Sequence, residues 1–277
     1  MKIALIQMTS SDDPAANLVI MRNYIREAAG EGAEFILTPE VCNCVSDSRA
    51  HQQTVLSYED DDPSLAGLRA AAAEHGIHLL IGSLGLKTRD GDGRFANRSF
   101  LIGPDGGIIA KYDKIHMFDV QVSAEETYRE SDGYRPGTRA VLADTPIGRI
   151  GLTICYDVRF PHLLRALAQG GAQILTAPAA FSYVTGAAHW EVLQRARAIE
   201  TGCFVIAPAQ TGTHDTSVGK QRKTHGHSMV VAPWGEILAD AGRETGVTIV
   251  DIDLGEVAKA RGRVASLTHD RGFECDF

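Results

Sequence analysis

Three residues with chemically useful side chains each follow an apolar, strand-like run: Cys155, Glu40 and Lys114. Because a polar turn follows Cys155, its thiol is predicted at the carboxyl end of a strand. Functional side chains collect at such ends, where the loops of an α/β sheet leave a crevice. A nearby base or cation turns a thiol into a nucleophile, and Glu40 and Lys114 would supply both. The alternative is three ordinary structural roles: a buried thiol, a solvated acid and a surface cation.

An internal repeat favours the chemical interpretation. Four segments recur in the same order: KIALIQM (2–8) with RIGLTIC (149–155), GAEFILTP (32–39) with GAQILTAP (171–178), GIHLLIGS (76–83) with GCFVIAPA (202–209), and SFLIGPDGGIIA (99–110) with SMVVAPWGEILA (228–239). Met8 occupies the place of Cys155 in the matching segment, and neither Glu40 nor Lys114 is reproduced. A shared scaffold therefore does not require these three side chains.

Each repeat predicts a strand, helix, strand, helix and strand, followed by a hairpin. The predicted helices cover residues 14–30, 63–75, 162–169 and 187–201. Alternating strands and helices imply mostly parallel sheets, and the hairpins make each sheet mixed. Two halves, at about 1–140 and 141–255, would bury their remaining apolar faces by stacking sheet on sheet. We predict a single α/β domain over residues 1–277, a four-layer α-β-β-α sandwich with a polar tail at about 265–277.

Composition and charge exclude several classes of function. The chain has 277 residues, of which 44% are hydrophobic and 22% charged, with a formal charge of −8. This acidic balance argues against nucleic acid or an anionic membrane as the partner. The short basic cluster at 220–223 is interpreted as a solvated loop. No apolar run is long enough to cross a bilayer, and the start of the chain lacks the pattern of a secretory leader.

The cysteine and histidine patterns bear on compartment and metals. Five cysteines at irregular spacing favour a reduced, cytoplasmic protein over a disulfide framework. Cys42 and Cys44 lack the two-residue spacer of a zinc pair, and the pair formed by His225 and His227 is isolated. We therefore expect no metal site, and the chemistry of a thiol with a base and a cation requires no cofactor.

The order of these motifs resembles the nitrilase superfamily of carbon-nitrogen hydrolases. A Glu that closes an early strand, a Lys in YDKIH and a Cys in GLTICYDVRFP are similar to the Glu-Lys-Cys triad of that family. The resemblance extends from KIALIQM to about VDIDLGEV, which is nearly the whole chain. It implies that Glu40 is the general base, Lys114 the oxyanion stabiliser and Cys155 the nucleophile.

The same resemblance implies further features of the site and assembly. Glu130, in YRESDGYRPG, is similar to a second family glutamate that orients the site, and Glu126 is the competing acid nearby. The family also implies the four-layer sandwich and a homodimer that continues it across the helix after Cys155. The backbone N–H of Tyr156 is a candidate second donor to the oxyanion.

The segment at 181–200 and the motif HGHSMVVAPWGE resemble the Nit amidases, the branch that includes deaminated-glutathione amidase and ω-amidase. We therefore expect a thiol-dependent amidase. It would hydrolyse a small 2-oxo-acid amide, such as deaminated glutathione, through a Cys thioester, releasing ammonia and a carboxylic acid. One alternative is an N-carbamoyl amino acid or polyamine amidohydrolase that uses the same triad. Another is a non-catalytic binding or scaffold protein.

Several residues are candidates for substrate binding. Arg159 and Arg195 could pair with a substrate carboxylate, or could equally be structural ion-pair partners. Four residues near the start of a predicted helix could line the pocket or simply pack in the core: Phe181, Thr185, His189 and Trp190.

Overall fold

The computed structural model describes residues 1–122 and 126–276. In chain order, the strands are β1 (Lys2–Gln7), β2 (Phe35–Leu37), β3 (His78–Lys87), β4 (Phe95–Ile102), β5 (Ile108–Asp113), β6 (Asp119–Gln121), β7 (Thr127–Arg129), β8 (Val141–Thr145), β9 (Gly148–Leu152), β10 (Ile174–Thr176), β11 (Phe204–Ala207), β12 (Thr211–Thr213), β13 (Lys223–His225), β14 (Met229–Val231), β15 (Ile237–Asp240) and β16 (Gly246–Asp251). The helices are α1 (Pro14–Gly30), α2 (Arg49–Val55), α3 (Pro63–His75), α4 (Glu130–Gly133), α5 (Pro161–Gln169), α6 (Tyr183–Thr201) and α7 (Gly255–Arg263). Single 3₁₀ turns cover Glu59–Asp61, Cys155–Arg159 and Ser266–Thr268.

Two mixed sheets with matching strand orders form the centre of the molecule. The first runs β16-β1-β2-β3-β4-β5 and the second β8-β9-β10-β11-β14-β15. Strands β1, β2 and β3 are parallel neighbours, as are β9, β10 and β11, and a hairpin completes each sheet. The repeated segments thus occupy equivalent strands, which confirms the predicted fold class.

The two halves of the sequence are joined by a strand pairing that the repeat did not predict. Strand β16 lies in the second half of the chain but pairs antiparallel with β1 in the first sheet, from Lys2 opposite Asp251 to Gln7 opposite Gly246. The first sheet therefore closes with a strand from the second half.

Side chains on alternate positions of the first sheet enter two different layers of the core. Ile3 and Leu5 pack with residues of the second sheet, whereas Ala4 and Ile6 pack with apolar residues of α1 and α3. Because both faces are covered, the strands are apolar throughout rather than alternating. Helices α5 and α6 cover the outer face of the second sheet. The result is an α-β-β-α sandwich.

The four predicted helices correspond to α1, α3, α5 and α6, with the largest difference in bounds at α6, whereas α2, α4 and α7 were not predicted. The carboxylate of Asp13 accepts hydrogen bonds from the Ala15 and Ala16 N–H groups at 2.9 and 3.3 Å, which caps α1 at its predicted start. Helix α6 begins at Tyr183, four residues before the predicted start. Gly186 lies in this added turn because the His225 imidazole packs directly against it; a Cβ there would be 2.3 Å from the His225 ring.

Cys42, Cys44, Cys155 and Cys203 are buried with free thiols, and Cys275 is exposed and also free. Within residues 1–122 and 126–276, no helix combines the length and apolar character required to span a bilayer.

Candidate active site

The candidate site is a cavity of about 380 Å³ at the carboxyl ends of strands from both sheets. Glu40 comes shortly after β2, Lys114 directly after β5, and Cys155 opens the 3₁₀ turn after β9. Glu130 begins the short helix α4. The structure thus brings together all four residues that the sequence predicted to act together, although the first and the last lie 115 positions apart in the chain.

The Glu40 carboxylate is buried, 3% exposed, and both of its oxygens accept hydrogen bonds. Oε1 accepts from Lys114 Nζ at 2.8 Å and from Asn97 Nδ2 at 2.9 Å. Oε2 accepts from the Ala180 N–H at 2.7 Å. A buried carboxylate with this many donors stays ionised and is held in one orientation.

The backbone at Glu40 is held as firmly as the side chain. Val41 has a φ of +44°, an unfavourable conformation for a β-branched residue. Its N–H donates to Ser83 Oγ at 2.7 Å, and Gln210 Nε2 donates to the Glu40 carbonyl at 3.0 Å. Strain of this kind persists only where the surrounding contacts enforce it, and it is concentrated at functional sites.

Lys114 is 2% exposed and lies between two carboxylates. Its Nζ donates to both oxygens of Glu130 at 2.8 Å as well as to Glu40. The Phe118 N–H donates to Glu130 Oε2 at 2.6 Å and fixes that side chain. The competing acid, Glu126, instead accepts a hydrogen bond from Ser182 Oγ at 3.3 Å. Glu130 is therefore the second glutamate of this cluster.

Cys155 lines the cavity and is held in a strained conformation. Its φ is +49°, in the left-handed region, and its N–H donates to the Pro178 carbonyl at 2.9 Å. Only 6% of the residue is exposed. The next N–H, that of Tyr156, has no acceptor in the described part of the protein. The Cys155 thiol and an unused backbone donor therefore lie side by side.

A buried carboxylate behind the site connects the segments that carry Lys114 and Cys155. Asp157 is fully buried and accepts hydrogen bonds from Tyr112 Oη at 2.6 Å and from the His116 N–H at 3.0 Å. The His116 ring nitrogen Nδ1 lies 2.7 Å from the same carboxylate. Tyr112 and His116 flank Lys114 in sequence, so this network fixes the lysine relative to the thiol.

Electrostatics assign a protonation state to each member of the triad. Burial would raise the pKa of the Glu40 carboxyl, but the charge of Lys114 and its hydrogen bond hold that pKa below its usual range. Burial opposes the charge of Lys114, yet the carboxylates of Glu130 and Glu40 keep its pKa well above the ordinary value. Burial and the neighbouring Glu40 charge raise the pKa of the Cys155 thiol well above its usual range. At rest, the site holds a carboxylate, an ammonium and a neutral thiol.

The structure separates the predicted substrate-binding residues. Phe181 lines the cavity, whereas four of the predicted residues do not: Arg159, Thr185, His189 and Trp190. Tyr156, predicted for its backbone N–H, is not a lining residue either, but it directly follows Cys155, which is. The Trp190 side chain packs against the Phe181 ring and donates from Nε1 to the His227 carbonyl at 2.8 Å. Its role is therefore packing behind the cavity wall, the alternative that the sequence left open.

The two predicted cations also lie outside the cavity. The Arg159 guanidinium lies over the rings of Tyr156 and Phe181, at 5.8 and 5.2 Å, with His189 Nδ1 3.3 Å from it. Arg195 donates to the Gly235 carbonyl at 3.0 Å, which is a structural role. The prediction that either would face the substrate from the cavity lining is not supported by this geometry.

Asn97 and Arg222 are among the cavity residues that the sequence did not predict. Asn97 on β4 donates from Nδ2 to both Glu40 and Glu130, at 2.9 and 3.2 Å. A polar residue within the buried run FANRSFLI was the available signal, since an apolar environment demands a partner for it. Arg222 lies in the basic cluster interpreted as a solvated loop, and that interpretation was wrong because its side chain lines the cavity.

Within the described residues, no group of three or more His, Cys, Asp or Glu side chains is arranged to hold a metal ion. The rings of His225 and His227 stack at 4.6 Å, and His227 Nδ1 lies 2.9 Å from Asp240.

Known proteins are similar to this chain in both sequence and fold. A carbon-nitrogen hydrolase family model matches residues 2–262. The chain is 37% identical over 270 residues to deaminated glutathione amidase of Yersinia enterocolitica, covering 97% of this chain and 92% of that protein. It is 38% identical over 265 residues to human omega-amidase NIT2, covering 95% and 92%. Saccharomyces cerevisiae Nit3, described as a member of branch 10 of the nitrilase superfamily, has a similar structure, with a TM-score of 0.85 and 29% identity over 99% of this chain and 97% of that one.

Proposed function

The chain belongs to the carbon-nitrogen hydrolase family and is an amidase, and we propose that its substrate is an amide of a small 2-oxo acid such as deaminated glutathione. The observation that carries the mechanism is Lys114 held between Glu40 and Glu130 in the cavity that contains Cys155. The names of the similar proteins support the substrate class.

The geometry supports a double displacement at the amide carbon. Glu40 accepts the thiol proton as the Cys155 sulfur bonds to that carbon, and the carbonyl oxygen becomes an oxyanion. Lys114 and the Tyr156 N–H stabilise the negative charge where it develops. The protonated Glu40 returns its proton to the departing nitrogen as the C–N bond breaks, and an acyl-thioester remains.

Hydrolysis of the thioester repeats these roles with water as the nucleophile. Glu40 takes a proton from water, the hydroxyl adds to the acyl carbon, and the thiolate leaves and recovers that proton. Asn97 and Glu130 position Glu40 and Lys114 but take no proton in either step.

The leaving group depends on the amide. A primary amide such as 2-oxoglutaramate releases ammonia, the product expected from the sequence. In deaminated glutathione the amide nitrogen belongs to a cysteinylglycine unit, so the product would be that dipeptide and not ammonia. The cavity volume of about 380 Å³ lies in the range of sites that enclose ligands larger than a simple amide.

We also propose a homodimer that continues the sandwich across α5, the helix after Cys155, together with the adjoining α6. Three apolar side chains, Val184, Val192 and Ile199, are exposed at 51, 67 and 55% along this helix. Their spacing of seven to eight residues places them on one face of the helix. Light scattering during size-exclusion chromatography would give the mass of a dimer, and Val192→Asp would lower it to that of a monomer.

A cytoplasmic location remains a proposal. The free thiols of all five cysteines support a reducing compartment.

A panel of amides tests the proposed function directly. The purified chain would be incubated with deaminated glutathione, 2-oxoglutaramate, an N-carbamoyl amino acid and a simple nitrile, and both the acid and the released amine would be measured. We expect turnover of the first two and little of the others. Turnover only of the N-carbamoyl compound would overturn the substrate class, and turnover of none would favour a non-catalytic protein.

A further inference from the structure

Arg222 reaches the cavity from a loop that is fastened at two points to the other half of the chain. The carboxylate of Asp12 accepts hydrogen bonds from the Ser217 N–H and Oγ, both at 2.7 Å, and from Thr216 Oγ1 at 3.1 Å. The Asp47 carboxylate accepts from the Lys220 N–H at 3.1 Å. The segment 216–220 that precedes Arg222 is therefore fixed in place over the first half of the chain.

The Arg222 side chain is held against the cavity wall with part of its donor capacity unused. Nη2 donates to the Ala180 carbonyl, and the guanidinium lies 5.6 Å from the centre of the Tyr128 ring. The Nε atom is buried and has no hydrogen-bond partner among the described residues. No Asp or Glu oxygen of residues 1–122 and 126–276 lies within 4.0 Å of this guanidinium. An arginine with five donors in a fixed fork is thus only partly satisfied.

The other cations of the cavity lining differ from Arg222 in their partners or exposure. The charge of Lys114 is already balanced by the carboxylates of Glu40 and Glu130. Arg49 donates to the carbonyls of Asp132 and Gly93. Arg129 is solvent-exposed, so an ion pair there gains little.

We propose that Arg222 binds a carboxylate of the substrate and makes the enzyme selective for acidic amides. A planar guanidinium with unused donors matches a carboxylate better than a lysine does, because it can form two parallel hydrogen bonds. This inference rests on the proposed function, which places an acidic amide in the same cavity.

Two carboxylates are candidates, and one set of substrates distinguishes them. In 2-oxoglutaramate the carboxylate belongs to the acyl part, which becomes the thioester. Deaminated glutathione carries a second carboxylate on the glycine of its leaving group. An analogue with that glycine carboxylate converted to an amide keeps only the acyl-side charge.

The experiment compares Arg222→Gln, Arg222→Lys and the matched control Lys220→Gln, which removes a charge from the exposed side chain of a neighbouring loop residue. We expect Arg222→Gln to raise KM for the acidic amides by about 10- to 100-fold, the loss typical of a charge-assisted hydrogen bond. Arg222→Lys should recover part of this loss, and Lys220→Gln should behave like the wild type. If KM rises only for deaminated glutathione, Arg222 binds the glycine carboxylate. If KM also rises for 2-oxoglutaramate, Arg222 binds the carboxylate of the acyl part.

A structural role for Arg222 would act through Ala180, whose N–H holds Glu40, and would affect every reaction of Cys155. Inactivation by iodoacetamide, a neutral thiol reagent, reports on that role. We expect its rate in Arg222→Gln to stay within about twofold of the wild type. The inference would be overturned if Arg222→Gln lowered the rate of inactivation by iodoacetamide as much as the activity on acidic amides. It would also be overturned if neither quantity changed.

Failure of the proposed function would be visible in the wild type alone, as an absence of turnover of any acidic amide, and this inference would fail with it. Turnover by the wild type with an unchanged KM in Arg222→Gln would overturn only the role of Arg222.

Discussion

Two pairs of equivalent strand ends in this molecule carry residues of different chemical character. Glu40 and Cys155, here called the reactive pair, follow β2 and β9. Their counterparts in the repeat, Ala179 and Met8, follow β10 and β1 and form the twin pair. The twin pair is buried, at 0 and 1% exposure, and carries no charge. The same scaffold therefore holds the candidate catalytic side chains in one place and apolar packing in the other.

Backbone strain also distinguishes the two pairs. Cys155 and Val41, the residue after Glu40, have φ values of +49° and +44°, whereas neither Met8 nor Ala180 has a positive φ. Since equivalent positions are unstrained, the fold does not require the strain. It accompanies the reactive side chains and is best explained by their positioning.

The largest effect is expected from removing the thiol of the reactive pair. Cys155→Ser should lower kcat/KM by about 1,000-fold or more, because a hydroxyl is far less acidic and nucleophilic than a thiol in this environment. Met8→Leu, a volume-conserving change in the twin pair, should leave activity intact and cost less than about 1.5 kcal/mol of stability. Steady-state kinetics and urea unfolding measure both. Comparable losses of activity in the two variants would refute the distinction between the pairs.

The second-largest effect on activity is expected from removing the proposed base, Glu40. Glu40→Gln keeps the shape of the side chain but cannot accept the thiol proton, so kcat should fall by about 100- to 10,000-fold. The matched control is Glu126→Gln, which alters a carboxylate that does not contact Lys114. A Glu40→Gln enzyme within tenfold of the wild type would show that another group serves as the base.

A smaller effect is expected at Asn97, which donates to both glutamates. Asn97→Leu is similar in volume but removes both hydrogen bonds, so the pKa of Glu40 should rise, since the charged form loses a donor. We expect kcat to fall about tenfold and the acid limb of the pH–kcat/KM profile to move to higher pH. A uniform loss of activity with an unmoved acid limb would indicate a purely structural role.

The smallest effect concerns the stability contributed by His214, which contacts the segment that follows Met8 of the twin pair. His214 Nδ1 donates to the Ser10 carbonyl at 2.7 Å, and burial lowers the pKa of this imidazole to about 4. Between about pH 6.5 and 4 the unfolded chain therefore binds a proton that the folded chain does not, so the free energy of unfolding falls as the pH falls. His214→Gln should flatten this dependence by on the order of 1 kcal/mol between pH 7 and 5. Equal slopes for both proteins in urea unfolding would contradict the assignment.

The sequence contained enough to predict the layers and the reactive pair. Apolar runs, Gly and Pro stops and the repeat predicted equivalent strands, because local pattern and burial agree there. The ends of β2, β5 and β9 also predicted Glu40, Lys114 and Cys155, although most of that specificity came from the family resemblance.

The remaining contacts depended on tertiary structure. In the sequence, Arg222 lies in a polar segment that resembles a solvated loop. In the structure, Asp12 and Asp47, which are distant in sequence, bind the neighbouring residues and hold them in place. The first turn of α6 contains Gly186, which has low helix propensity, and any Cβ at this position would clash with the His225 side chain. Neither outcome has a local signal.

The most direct test of the account is the intact mass of the protein during turnover. Wild-type enzyme mixed with 2-oxoglutaramate and quenched in acid within milliseconds should contain a population heavier by the acyl group, and peptide mapping should place that mass on Cys155. The same mass should be absent from Cys155→Ser. Full turnover with no acyl adduct on Cys155, or an adduct on another residue, would contradict the claim that this thiol is the nucleophile.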